Sequence, residues 1–234
     1  ILSKAQVIVA FLAIPFAISL TEPSTHKDRL KSSWKSIFKV VHYSLIEHKT
    51  LRTHIIYSST IGVSTLMMAW LAQPFLKEIG INMKNYGLIW ALLNIIVGVF
   101  AFRAHYIEKR FTELRSLFLI GFITVTTYFF IGIHMSYLSL LILFLFYANR
   151  GYATPLLRNY INRYAESNVR ATVMSVRSFI IRISFAIIAP FIGWIADKQS
   201  LSSAFYTMGI IGVTVISYCL IWFYKNQKNA IDIR

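Results

Sequence analysis

Apolar residues in this chain do not alternate with polar ones. They come in long continuous runs with short polar stretches between them. Six such runs fall near Thr53–Leu76, Tyr86–Ala104, Ser116–Ile133, Tyr137–Asn159, Ala171–Ile195 and Ser203–Tyr224. At about 1.5 Å per residue, each can cross a hydrocarbon layer about 30 Å thick. Unpaired backbone groups are too costly in lipid, so continuous apolar runs predict helices. A barrel would need alternating strands, which the pattern lacks. The predicted fold class is therefore an all-α integral membrane bundle.

A further apolar run, Ala5–Leu20, reads as the end of an earlier span. It stops at Thr21, Glu22 and Pro23, where proline disfavours helix at the residue before it. The chain begins at Ile1 inside this run, without an initiator Met. It thus reads as part of a longer protein whose remaining half is an expected partner. The predicted organisation is residues 1–21 as the end of a preceding helix, 22–52 as a basic linker, 53–224 as the six-helix bundle and 225–234 as a tail. In the linker, Trp34, Ile37, Phe38, Val41, Leu45 and Ile46 recur at helical spacing, with Lys31, Lys35 and Lys39 on another face. This predicts an amphipathic helix in the headgroup layer.

Composition agrees with burial in lipid. Hydrophobic residues make up 56% and charged residues 14%, against about 25% charged in a soluble domain. The net charge of +15 would point to nucleic acid in a soluble protein. Here it follows alternate loops, as basic loops kept in the cytoplasm do, and no nucleic-acid partner is expected. Lys27, Arg29, Lys31, Lys35, Lys39, Lys49 and Arg52 precede the first of the six runs. Arg103, Lys109, Arg110 and Arg115, then Arg158, Arg163 and Arg170, then Lys225, Lys228 and Arg234 occupy the later loops and tail of the same side. The opposite side holds Lys77, Lys84 and Lys198. The basic side is expected in the cytoplasm, placing linker and tail on the inner face of a cell membrane of the bacterial inner-membrane kind. The single cysteine, Cys219, lies within the last run and cannot form an intrachain disulfide.

Two segments are more specific than composition. Arg170-Ala-Thr-Val-Met-Ser175 opens the fifth of the six runs, and Pro190-Phe-Ile-Gly193-Trp-Ile-Ala-Asp197 closes it. With Gly151 and Pro155-Leu-Leu-Arg-Asn-Tyr-Ile-Asn162, they resemble the tenth and eleventh helices of a major facilitator superfamily transporter. The resemblance extends over the chain in order, from the end of a sixth helix to a twelfth. It implies a secondary active transporter working by alternating access, with Arg170, Ser175, Pro190, Gly193 and Asp197 as structural or gating positions. H⁺ coupling is among the options the family offers. The loop Arg103-Ala-His-Tyr-Ile-Glu-Lys-Arg110 departs from the family's Gly-x-x-x-Asp pattern, having no Gly and a Glu in place of the Asp. An integral-membrane enzyme and a non-transporting scaffold are the alternatives.

Charge inside the spans is the sharpest local signal. Arg150 lies about 21 Å from the outer end of its span, and Arg182 about 17 Å from the inner end of its own. A charge at that depth costs about 3 kcal/mol or more, so both are expected to face the bundle interior. No Asp or Glu lies inside the six runs. The counter-charge is then a structural partner in the missing half, an anionic or polar substrate, or water. Arg177, nearer the end, reads as a side chain reaching for the interface. Asn149, Tyr147, Asn94, Gln73 and Trp70 are the polar and aromatic groups expected to complete a small-molecule site with Arg150 and Arg182. Two rows of small residues, Ala186–Ala189–Gly193 and Gly87–Ala91–Asn94–Gly98–Ala101, predict close helix packing. The chain has no Gly-Lys-Ser/Thr phosphate loop, no His-Glu-x-x-His and no Gly-x-Ser-x-Gly. No enzyme activity, cofactor or metal is expected.

Overall fold

The computed structural model describes residues 34–231, with side chains over 37–226, together with Phe11, Pro15, Ile18 and Ser19. The rest of the apolar run at 5–20, the linker up to residue 33 and the last three residues lie outside the described residues. The chain divides into two compact units, 1–37 and 38–234. In the first, the four described positions before residue 34 are helical and exposed.

The second unit is a helical bundle. A short helix α1 (Trp34–His42), which spans the division between the units, runs into a π-helical turn (Tyr43–Glu47). Six long helices follow: α2 (Lys49–Glu78), α3 (Tyr86–Glu108), α4 (Glu113–Ile133), α5 (Tyr137–Tyr164), α6 (Arg170–Lys198) and α7 (Leu201–Ile231). All six are long and apolar enough to cross a membrane. The described residues contain no strand, so the all-α membrane bundle is the fold.

The helices overrun the apolar runs that announce them. α2 starts at Lys49 and α7 continues to Ile231. Hydropathy ends where the hydrocarbon ends, whereas the i→i−4 hydrogen bonding of a helix continues into the headgroup layer. Termination has its own chemistry. Gly80 adopts φ +79° just after α2, while Gly80 N–H donates to Lys77 O and Ile81 N–H to Leu76 O. This is a Schellman stop, and its left-handed residue favours glycine.

α2 is the central helix, with 61% of its apolar window buried; it packs on α5, α6 and α7. The two most extensive pairings are α3 with α5 and α4 with α7. Glycine permits both. A Cβ on Gly151 of α5 would collide with Val97 O of α3, and one on Gly121 of α4 would come within 2.6 Å of Ile216 on α7. Polar bridges add specificity in a medium where helix association gains little from hydrophobicity. Tyr128 OH donates to Ser64 O at 2.6 Å, and Tyr152 OH to Ser116 Oγ at 2.9 Å.

Two helices remain largely uncovered: only 17% of the α3 window and 11% of the α6 window are buried. The predicted rows of small residues lie there. A Cβ added at Gly87, Gly98 or Gly193 would meet nothing within 4 Å. These glycines therefore do not mediate packing within this bundle. α3 packs instead through Ile89, Leu93 and Ala104.

The linker helix has a side buried against the bundle and an exposed apolar side. Val40 and Ser44 are the buried positions, and Val40 joins a cluster with Leu51, Ile55, Ile161 and Val173. Ile37, Phe38 and Ile46 of the expected apolar face are exposed. An exposed apolar side of this kind is what a helix lying in the headgroup layer turns toward lipid.

Candidate functional site

α5 and α6 are adjacent in sequence but barely touch, and a groove of about 620 Å³ lies between them. Arg158 and Asn162 line it from α5; Ser175, Ser178, Phe179 and Arg182 line it from α6. The two walls follow from helical spacing. Arg150, Thr154 and Arg158 are four residues apart on α5, as are Met174, Ser178 and Arg182 on α6, so each set forms a ladder along one helix face. The serines are not free-swinging: Ser175 Oγ donates to Ala171 O and Ser178 Oγ to Met174 O, both at 3.0 Å. Their oxygens keep lone pairs, but their protons are used. The guanidinium groups dominate the groove, and neither Arg158 nor Arg182 forms an ion pair with any described residue.

Of the sequence-derived candidates, Arg182 is in the groove. Arg150 is half-buried two steps beyond Arg158 on the α5 ladder, with its guanidinium carbon 5.5 Å from the ring centre of Tyr147. Tyr147 is itself buried and packs edge-on against Trp90 of α3, centroids 6.0 Å apart. Asn149 points elsewhere. Its Nδ2 donates to Ile120 O and to Thr124 Oγ1 of α4, each at 3.1 Å, so it bridges two helices. Asn94 is exposed and donates to Trp90 O within its own helix at 2.8 Å. Trp70 is exposed beside Phe185, and Gln73 is exposed near the far end of α2. Of these candidates, Arg182 alone lines the groove, Tyr147 and Asn149 are buried within the bundle, and Asn94, Trp70 and Gln73 are on its exposed faces.

The sequence matches the family model described as the Major Facilitator Superfamily over residues 53–232. The chain belongs to the Major Facilitator Superfamily. A search of curated proteins finds no match. Membership and six apolar helices together make this a multi-pass membrane protein of a transporter family.

In this facilitator chain the motif residues all lie on α6. Arg170 Nε donates to Ala165 O at 3.1 Å, which closes the turn entering the helix. Pro190 sits within the helix, Gly193 on its open face, and Asp197 near its end, exposed and without an ion pair among the described residues.

Two features escape sequence reasoning. Arg177 does not reach for the interface: it is buried, 8% exposed, and its Nε donates to Ser58 Oγ of α2 at 2.6 Å. Arg158 lies near enough to repel it. No spacing rule tells which face of α6 the α2 helix covers, so depth alone gives the wrong outlet for this side chain.

The second is a charged cluster at the end of the bundle that carries the basic loops. His54 of α2 is 3% exposed, with Nε2 2.7 Å from Glu113 Oε1 and Nδ1 2.8 Å from Thr50 O. Arg163 of α5 contacts Glu113 at 3.2 Å and Glu108 at 3.6 Å. The departing loop thus still engages a neighbouring helix, through Glu108. His54 and Glu113 are 59 residues apart, and no local pattern joins them.

Proposed function

We propose that this protein moves a small anionic solute across the membrane, and that Arg158 and Arg182 are its contacts. The supporting observation is the groove between α5 and α6, with two guanidinium groups and no carboxylate paired to them among the described residues. Both arginines are exposed in this bundle, on faces that a second bundle would enclose, and an arginine cannot escape such enclosure by losing its proton. In a membrane it needs water or an anion, and bidentate oxyanions such as carboxylate or phosphate match its fork best. Asn162 adds a neutral hydrogen-bonding group for orientation.

Transport by alternating access needs a second bundle across the groove. The open faces of α3 and α6 are the surfaces such a bundle would cover, and their rows of small residues would then permit close approach. The basic loop side is assigned to the cytoplasm. H⁺ coupling is left to experiment.

The test is solute counterflow in proteoliposomes containing the full-length protein. Panels of labelled carboxylates and phosphate esters are compared with cations and neutral sugars of similar size. Saturable exchange of an anion supports the reading; exchange restricted to cations or sugars overturns it.

A further inference from the structure

We infer that His54 and Glu113 form a binding site for one exchangeable proton. Donors and acceptors must balance at this contact. Nδ1 of His54 lies 2.8 Å from Thr50 O, and a backbone carbonyl only accepts, so Nδ1 carries a hydrogen. Nε2 lies 2.7 Å from Glu113 Oε1. A neutral ring protonated at Nδ1 would present a lone pair to an ionised carboxylate, which is two acceptors face to face. One additional proton, on Nε2 or on Glu113, is required to make this contact a hydrogen bond.

The surroundings favour the ring as its carrier. Glu113 sits in the first turn of α4, where the helix dipole favours an anion. Arg163 contacts its other oxygen, Oε2, at 3.2 Å. Tyr164 OH donates to Oε1 at 3.5 Å. The aromatic neighbours of the ring are Tyr160 and Tyr164 from α5 and Phe223 from α7, with centroids at 6.3, 4.7 and 4.6 Å. Glu108 at the end of α3 reaches the cluster through Arg163. Glu113 is the only carboxylate within hydrogen-bonding distance of the ring among the described residues.

Exchange with solvent has a route. A cavity of about 310 Å³ has a mixed lining, with Leu117 and Phe223 beside the polar groups of Thr50, His54, Glu113 and Asn226, and those polar groups give a water there several partners. The bound proton would fasten α2 to α4 at the basic end of the bundle. Its departure would leave Nε2 repelling Oε1 and release that fastening. This site stands whether or not the α5–α6 groove carries an anion.

The test is nitrogen NMR of the full-length protein, ¹⁵N-labelled at histidine and held in lipid nanodiscs. The His54 signals are identified by their loss in His54→Gln. Glu113→Gln supplies an amide N–H to Nε2, so a neutral ring satisfies that variant. At a pH where His54 in Glu113→Gln shows one ring N–H, the wild-type pair should hold one proton more. That proton would appear as a second ring N–H or, by infrared spectroscopy of ¹³C-glutamate protein, as a protonated carboxyl. A wild-type ring with one N–H beside an ionised Glu113 would overturn the inference. The wild-type spectra decide this even if a variant fails to fold, because a neutral ring together with ionised carboxylates throughout contradicts it as well.

Discussion

Arg177 on α6 donates through Nε to Ser58 Oγ on α2 at 2.6 Å, 119 residues away in sequence, and no carboxylate pairs with it among the described residues. A buried guanidinium held by a neutral hydroxyl depends heavily on that hydroxyl. Ser58→Ala should lower stability by about 1–3 kcal/mol, the cost of leaving a buried polar group without its partner. Arg177→Met, which keeps the volume and removes the charge, should cost less than Arg177→Ala. Thermal unfolding of detergent-purified protein reads both comparisons. An unchanged midpoint for Ser58→Ala would mean that the arginine is solvated after all.

Glycines on covered and open faces should respond differently. Gly151→Leu places a side chain against Val97 and Phe100 of α3, and overpacking of this kind costs about 1–3 kcal/mol or more. Gly193→Leu meets nothing within 4 Å in this bundle and should leave its thermal stability unchanged. If the open face of α6 is covered by a second bundle, Gly193→Leu should instead reduce transport. Unfolding midpoints and flux, measured together on both variants, separate the two effects.

Asn149 should be dispensable for solute recognition. Its amide bridges α5 to α4, and interhelical hydrogen bonds in membranes are worth about 0.6–2 kcal/mol. Asn149→Leu should therefore lower stability modestly and preserve flux. Abolished flux at normal abundance would return Asn149 to the solute site.

Most of the fold was legible in the sequence because the bilayer imposes it. Lipid forces every spanning segment into a helix, so apolar length alone locates α2 to α7, and even Pro74, Pro155 and Pro190 stay within helices. Helix ends were less legible, since Lys49–Arg52 continue α2 in a polar setting. The site was only partly legible. Arg182 stood out by its depth, whereas Arg158 read as one more basic residue of a cytoplasmic loop, and only the length of α5 brings it into the groove. Direction around a helix axis was not legible at all: Asn149 turns to α4, Arg177 to α2 and His54 to Glu113. Each of these orientations is set by a partner far away in sequence.

Orientation is checked by cysteine labelling. Cysteines at Lys109, between α3 and α4, and at Lys198, at the end of α6, should be modified from opposite sides of the membrane, with Lys109 on the cytoplasmic side. Labelling of both from one side would contradict the crossing pattern of the six helices.

The groove itself is tested most directly by flux through its arginine variants. Arg182→Gln and Arg158→Gln should each reduce anion counterflow by roughly ten- to a hundredfold, as expected from losing a hydrogen bond to a charged group. Membrane abundance should stay near wild type, and Arg→Lys should rescue poorly because ammonium cannot form the bidentate pair. Wild-type anion flux in the Arg158→Gln, Arg182→Gln double variant would contradict the account.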